Sequence, residues 1–267
     1  MTILETNKLT KQYKRLTALN QLDFDIQKGM VFGLLGPNGS GKTTTLGILL
    51  SVLKATSGTF KWFGQPPSPE SRKKIGAILE IPCFFPYLTA VQNLLVISKI
   101  KDCPPSAIDA ALLVDPPVLI LDEPTNGLDP QGYVEIRELI KDIAASGKTI
   151  ILASHLLDEV QKLCSHFMVL QKGKKRFQGS VAEALMDHRS FEVAADDAEQ
   201  LRNALSDFKG VQQMKQEDGI FILTPEQHLT TSDLSRFLFD RQIVINHLVE
   251  KSGSLEKQFL RILQDHD

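Results

Sequence analysis

Polar and apolar residues alternate from Thr2 to Ile26, with Leu22, Phe24 and Ile26 in phase. A period of two predicts antiparallel strands flanking a core sheet. The pattern then changes to Met30-Val31-Phe32-Gly33-Leu34-Leu35, a continuous apolar run suited to a strand buried on both faces. A glycine-rich turn follows it, and a helix opens near Lys42. Ser57 to Gly64 reads as a strand rich in aromatics, followed by a loop with Pro66, Pro67 and Pro69. Ile75–Leu79 and Val118–Leu121 are further short strands, the second bounded by Pro117 and Asp122. Gly132–Ala145 carries Val134, Ile136, Leu139, Ile140 and Ile143 at helical spacing, closed by Gly147, and Lys148–Leu152 returns as a strand. Strands and helices alternating at this spacing predict an α/β fold, a parallel sheet wrapped by helices.

After Gly179 the character shifts. Phe191–Ala194 reads as a strand, and Asp196–Phe208 as a helix with Leu201, Leu205 and Phe208 on one face. Glu217-Asp218-Gly219 is a hairpin signal between Val211–Gln216 and Ile220–Leu223. Thr231–Arg241 is helical, Ile243–Val249 a strand, and Ser254 opens a last helix with Phe259, Leu260 and Leu263 inward. The order β-α-β-β-α-β predicts a small ferredoxin-like α+β domain. The expected division is residues 1–182 and 183–267. The second part holds no chemical motif, so regulation, dimer support and passive packing stay open.

Composition narrows the class. A chain of 267 residues suits two domains without staples. Net charge −2 and a pI near 6.3 argue against general nucleic-acid binding. Cys83, Cys103 and Cys164 form no C-x-x-C pair and read as reduced thiols. No apolar run approaches the roughly 20 residues that span a bilayer, and no secretory signal opens the chain, so membrane association is expected only through a partner.

The candidate chemistry lies at the ends of the two buried runs. Gly36-Pro37-Asn38-Gly39-Ser40-Gly41-Lys42-Thr43 matches G-x-x-x-x-G-K-[ST], with a strand before it and a helix after it. Glycines at Gly36, Gly39 and Gly41 let the backbone curl, so that N–H groups from Asn38 through Ser40 to Thr44 point at phosphate oxygens. The helix adds the positive end of its dipole. Lys42 reaches the β- and γ-phosphates in this pattern, and the Thr43 hydroxyl ligates Mg²⁺. The chain is therefore expected to bind a nucleoside triphosphate. Asp122-Glu123 ends the strand Val118–Leu121, at the sheet edge where α/β folds place ligands. Asp122 is the expected partner of the Mg²⁺ shell, and Glu123 the acceptor for a proton from attacking water.

Here the sequence resembles the ATPase subunits of ATP-binding-cassette (ABC) transporters, over Thr2 to about Gly179. Leu121-Asp122-Glu123-Pro124-Thr125-Asn126-Gly127-Leu128-Asp129-Pro130 is similar to that family's Walker B and D-loop run. Ile151-Leu152-Ala153-Ser154-His155 is similar to its switch strand, which implies that His155 contacts the γ-phosphate. Taken alone, His155 could equally cap a helix beside Ser154 and Asp158. Tyr13, before Leu16-Thr17-Ala18-Leu19, sits where the family keeps an aromatic that stacks on adenine. By itself it reads as an ordinary strand aromatic.

Two departures stand against that pattern. Glu80 occupies the position where most relatives carry the Q-loop glutamine, a feature similar to bacitracin-resistance and lantibiotic-exporter ATPases. Its oxygen can still face the metal, with an added negative charge. The second departure is that nothing between Glu80 and Asp122 matches the Leu-Ser-Gly-Gly-Gln type signature, which in the working dimer closes over ATP held by the other subunit. Only 41 residues separate the two positions. About three average helices, some 35 residues, are missing from a helical subdomain at about 82–115. Either the protein lacks this segment or the sequence omits it. The completeness of the remaining site favours omission, with a backbone break expected between Ser106 and Val114. The resemblance implies an ATP-hydrolysing transporter subunit, of exporter type, on the cytoplasmic face of the membrane. Its partners would be a second ATPase subunit, identical or related, and a transmembrane permease met through Ile81–Thr89. With no signature, the alternative is a nucleotide-binding module without turnover. A soluble ABC protein acting on ribosomes or DNA is disfavoured by the single cassette and the acidic charge.

Overall fold

The alternating N-terminal segment forms β1 (Thr2–Tyr13), β2 (Leu16–Leu22) and β3 (Asp25–Gln27). β1 runs antiparallel to both, and also to β5 (Ser57–Trp62). The inward positions Leu4, Leu9, Leu19, Leu22, Ile26 and Trp62 are fully buried, as a half-buried sheet requires. In this computed structural model, residues 1–80, 87–89, 91–93, 95–96, 115–186, 189–226, 229–251 and 255–264 are described. They divide into two units, Met1–Ser180 and Val181–Gln264.

The second sheet of the first unit is six-stranded, with order β10-β9-β4-β8-β7-β6. Its strands are β4 (Val31–Leu35), β6 (Ile75–Ile78), β7 (Val118–Asp122), β8 (Thr149–Ser154), β9 (His166–Gln171) and β10 (Lys174–Ser180). Five are parallel, and only β10 runs antiparallel to its neighbour. Every residue of β4 and β8 is buried, which explains their unbroken apolar runs. Helices α1 (Lys42–Leu49), α2 (Pro69–Lys73), α3 (Pro130–Ala145) and α4 (Leu157–Leu163) also belong to the described part of this unit. Asp129 caps α3 by accepting from the Gly132 N–H at 2.7 Å, and Pro130 starts the helix.

This topology lines up four chain segments at one sheet edge. β4, β8, β7 and β6 are consecutive neighbours and parallel, so their C-terminal ends deliver the phosphate loop, His155, Asp122-Glu123 and Glu80 to the same side.

In the second unit, β11 (Ser190–Ala195), β12 (Val211–Glu217), β13 (Ile220–Pro225) and β14 (Ile245–Lys251) form an antiparallel sheet of order β12-β13-β11-β14. That is the ferredoxin-like order that β-α-β-β-α-β implies, with α6 (Ala198–Ser206) and α7 (Thr231–Asp240) as its two helices. The hairpin turn is Asp218-Gly219, both at positive φ, closing the Glu217–Ile220 pair. Phe191, Val193, Leu201, Leu205, Phe221, Leu223, Leu234 and Leu238 form its core. The unit also holds α5 (Val181–Met186) and α8 (Leu255–Gln264).

One reading needs correction. Leu260 is half exposed rather than inward, Phe259 is partly buried and the Leu263 side chain lies outside the described residues; Leu255 and Gln258 are the buried side chains of α8 among those described. The helix expected over Gly132–Ala145 forms as α3, with Ile140 buried and Val134 and Leu139 facing solvent. Ile81–Pro86 of the expected permease-binding segment and the expected break between Ser106 and Val114 lie outside the described residues, as do Cys83 and Cys103. Cys164 is a free, buried thiol.

Trp62 ties the antiparallel sheet to α1, because its Nε1–H donates to the Leu49 carbonyl at 2.9 Å in a fully buried position. Trp62→Phe should lower the stability of the first unit by about 1–3 kcal/mol, the cost of leaving that carbonyl unpaired. Urea unfolding followed by far-ultraviolet circular dichroism checks this, and an unchanged midpoint would mean the bond carries no net weight.

Candidate nucleotide site

The loop after β4 has the backbone its sequence demands. Gly39 and Gly41 adopt φ of 77° and 112°, and Gly41 caps α1 without any side chain on the first-turn N–H groups. Those donors are left for a ligand. A Cβ on Gly41 would stand 2.7 Å from Leu19 Cδ2 and 2.9 Å from the Ala18 carbonyl oxygen. Lys42 Nζ donates to the Gly36 carbonyl at 2.8 Å and pairs with Glu123 Oε1 at 3.4 Å, both side chains being largely buried.

Glu123 sits in the left-handed region at φ 50°, a conformation that costs a non-glycine residue about 1–2 kcal/mol. Its N–H donates to the Ala153 carbonyl at 2.9 Å and its carbonyl accepts from the Asn126 N–H at 3.0 Å. The carboxylate spans two cations or donors: Lys42 on Oε1 and His155 Nδ1 on Oε2 at 2.7 Å. An acceptor-only carboxylate requires the proton of His155 to sit on Nδ1. His155 neither caps α4 nor lies in its first turn; the cap position is Leu156.

Asp122, next to Glu123 in the chain, is almost wholly buried, and neither of its oxygens has a hydrogen-bond donor among the described residues. Burial pushes its carboxyl above the ordinary carboxylate range. The charges of Glu123 and Glu80 add to that rise, while the Thr43 hydroxyl and Lys42 pull it back. Thr43 faces Asp122 without closing a hydrogen bond to either oxygen. Two bare carboxylate oxygens, a hydroxyl and a second carboxylate nearby make an oxygen donor set of the kind hard divalent cations take.

A cavity of about 600 Å³ joins these groups. It is lined by Tyr13, the loop from Pro37 to Thr44, Glu80, Glu123 and His155, and so brings together the expected site residues. Gly36 and Asp122 do not line it: Gly36 offers its carbonyl to Lys42, and Asp122 is buried. The cavity also has lining residues that sequence reasoning missed: Asn126, beyond Glu123, and Lys172, in the β9–β10 turn. Lys172-Gly173 could be read as a turn from its sequence, but only the fold brings it here. The Gly173 N–H donates to the Ser40 carbonyl at 2.9 Å, and its own carbonyl accepts from the Asn20 N–H at 2.8 Å.

Comparison with known proteins agrees with this geometry. A family model described as ABC transporter matches residues 19–109, and a second, described as AAA domain, putative AbiEii toxin, Type IV TA system, matches residues 96–159. The Nod factor export ATP-binding protein I of Cupriavidus pinatubonensis is 32% identical over 245 residues, 76% of this chain and 75% of that protein. The chain belongs to the ABC transporter ATP-binding proteins. Within this ATPase family, the bacitracin transport ATP-binding protein BcrA of Bacillus licheniformis is 37% identical over 208 residues, 65% of this chain and 68% of its own. The ABC transporter ATP-binding protein YdbJ of Bacillus subtilis is 31% identical over 300 residues, 99% of this chain and 96% of that protein. Since the chain has 267 residues, at least 33 of those 300 aligned positions (300 less 267) face no residue of it. A solved ATP-binding subunit of an ABC transporter shares the fold at a TM-score of 0.61 and 22% identity, over 68% of this chain and 91% of that one.

Two outcomes follow from the site as built. Asp122→Asn should stabilise the nucleotide-free ABC protein at neutral pH. A carboxyl whose folded-state pKa lies above its unfolded value binds the extra proton in the folded state, so stability falls as pH rises from the ordinary carboxylate range through the raised value. The gain should vanish below that range, where Asp122 is neutral in both states, and a destabilised variant in neutral urea melts would contradict the burial argument. Gly173→Ala should raise the ATP Kd several-fold. The new Cβ would lie 2.5 Å from the Ala18 carbonyl oxygen at φ 73°, forcing the turn off Ser40, and fluorescent-nucleotide titration measures the result.

Proposed function

We propose that this ABC ATP-binding subunit hydrolyses ATP with Mg²⁺ to drive export through a separate membrane permease. The observation that carries the reading is the cavity shared by the phosphate loop, Glu123 and His155, with the buried, donor-free Asp122 carboxylate next to Glu123. Tyr13 stacks on adenine, and Asn38 to Thr44 cradle the phosphates. Lys42 leaves the Gly36 carbonyl and Glu123 for the β- and γ-phosphates. Thr43, Asp122 and Glu80 hold the Mg²⁺, which when bound neutralises charge on the phosphate oxygens. Once Lys42 has turned away, Glu123 is released to orient water and take its proton, and His155 contacts the γ-phosphate. The export sense rests on the names of the Nod factor relative and on the likeness to the bacitracin transport protein.

Among the described residues no helix is long and apolar enough to cross a membrane. The permease would therefore supply the membrane anchor, met through the region Ile81–Thr89 at the cytoplasmic face. A second ATPase subunit, identical or related, would close over the nucleotide; where the signature segment is missing from the protein itself, only a related subunit that carries it could do so. The unmatched positions in the alignment also favour a second reading, a nucleotide-binding module that holds ATP without turnover. Intact mass separates the cases: 29.7 kDa means that the segment is missing from the protein itself, and a mass several kDa greater means that it exists in the cell.

Co-expressed with its neighbouring membrane subunit, the wild type should show ATP turnover. Glu123→Gln should keep nucleotide binding and lose turnover by on the order of a hundredfold or more, whereas Lys42→Ala should lose binding itself. Glu80→Gln should shift the Mg²⁺ dependence, since one formal charge near the cation disappears. Undiminished turnover in Glu123→Gln would remove it from the base role, and superimposable Mg²⁺ titrations would place Glu80 outside the metal's field.

A further inference from the structure

Glu159 lies in the first turn of α4, is 1% exposed, and takes no part in the chemistry above. Its partners are two hydroxyls, one from the end of β8 and one from the turn after Glu123. The Ser154 Oγ–H donates to Oε2 at 2.5 Å, and the Thr125 Oγ1–H donates to Oε1. Among the described residues no lysine or arginine pairs with it. Thr125 and Ser154 are themselves buried. Thr125 lies two residues past Glu123, and Ser154 immediately precedes His155.

Packing alone does not account for this carboxylate. A buried charge carries a desolvation penalty that two neutral donors do not cancel, and a residue of the same shape without charge would fill the space at lower cost. What the charge supplies is direction. A carboxylate only accepts, so both hydroxyls must point their protons at it. With its proton so committed, the Ser154 oxygen accepts from the Leu156 N–H at 3.0 Å, closing the turn around His155. A chain of donors runs from Leu156 through Ser154 to Glu159 and back from Thr125. It binds the strained turn of Glu123 to the turn of His155, the two side chains that meet at 2.7 Å.

We propose that Glu159 is a positioning residue, holding the turns that carry Glu123 and His155 in one fixed relation by accepting hydrogen bonds from Thr125 and Ser154. The proposal rests on the assignment of Glu123 and His155 to hydrolysis. In Glu159→Gln the amide NH₂ is a donor, so one of the two hydroxyls loses its acceptor, receives a hydrogen bond instead and must turn its own proton elsewhere. The ATP pocket itself is untouched, because neither Glu159 nor Thr125 lines it.

The test uses the full chain twice. Free of its partner, the ring ¹⁵N resonances of His155, assigned by difference against His155→Ala, should move in Glu159→Gln and in Thr125→Val and stay in place in Thr125→Ser, which keeps the hydroxyl. With the membrane subunit present, kcat should fall on the order of ten- to a hundredfold in Glu159→Gln and Thr125→Val, while the ATP Kd stays within about twofold. The double variant should be no worse than either single one. His155 resonances unchanged in both variants, or Thr125→Ser as damaged as Thr125→Val, would overturn the proposal, as would full kcat in Glu159→Gln. If Glu159→Gln fails to fold, the Thr125 pair decides alone. A wild type silent with its partner sinks the hydrolysis reading instead, and the His155 resonances still decide the positioning.

Discussion

The ammonium group of Lys42 stands among three carboxylates. Asp122, Glu123 and Glu80 converge on the edge of the parallel sheet, and Lys42 pairs with one oxygen of Glu123, whose other oxygen meets His155, while drawing the Asp122 carboxyl down against its neighbours. Charge of one sign gathered in a largely buried place is unfavourable unless something of the other sign is brought to it. The fold maintains that imbalance by embedding its sources in rigid elements: β7 ends in two of the acids, and β8 lies between β7 and β4 to hold the turn of Glu123 by a backbone hydrogen bond. A nucleotide carrying a divalent cation brings both a counter-charge for the acids and an anion for the lysine. In this view the chain is organised around an electrostatic deficit, and the surrounding sheets prevent it from relaxing.

Much of this was legible in the residues. The runs of β4 and β7, and the glycines and Lys-Thr that follow Gly36, fix a buried strand, a curled loop and a helix in order, because each type tolerates few other conformations. The ferredoxin-like order of the second unit likewise followed from period and turn chemistry, with Asp218-Gly219 at positive φ. What escaped were the relations that only folding creates. Lys172 reaches the cavity because β10 turns back antiparallel on β9, and nothing in Gln171-Lys172-Gly173 says what lies across from it. Glu159 reads as an acidic first-turn residue, good for a helix start, while its binding to Thr125 spans 34 positions. The inward placing of Leu260 failed for a related reason, since helical spacing defines a face but not which face the neighbours cover.

The missing signature is of another kind. In the proposed function each nucleotide is closed between two subunits, so a protein without that segment would bind nucleotide and not close over its partner's. The loop, acids and histidine of the first half are all present in the sequence. Were the segment missing from the protein itself, two copies of it would not be equivalent to one copy beside a subunit with an intact signature.

Gly173 has a further consequence. Its amide holds Ser40 and its carbonyl holds Asn20, and it presses against Ala18 where no Cβ fits. β2, whose first residues line the cavity beside Tyr13, and the loop after β4 are therefore spaced by a single residue of fixed thickness. The cavity behaves as a gauge. With the proposed roles of Tyr13 and Lys42, a ligand would have to span a set length to engage both, and molecules that are too short could satisfy only one.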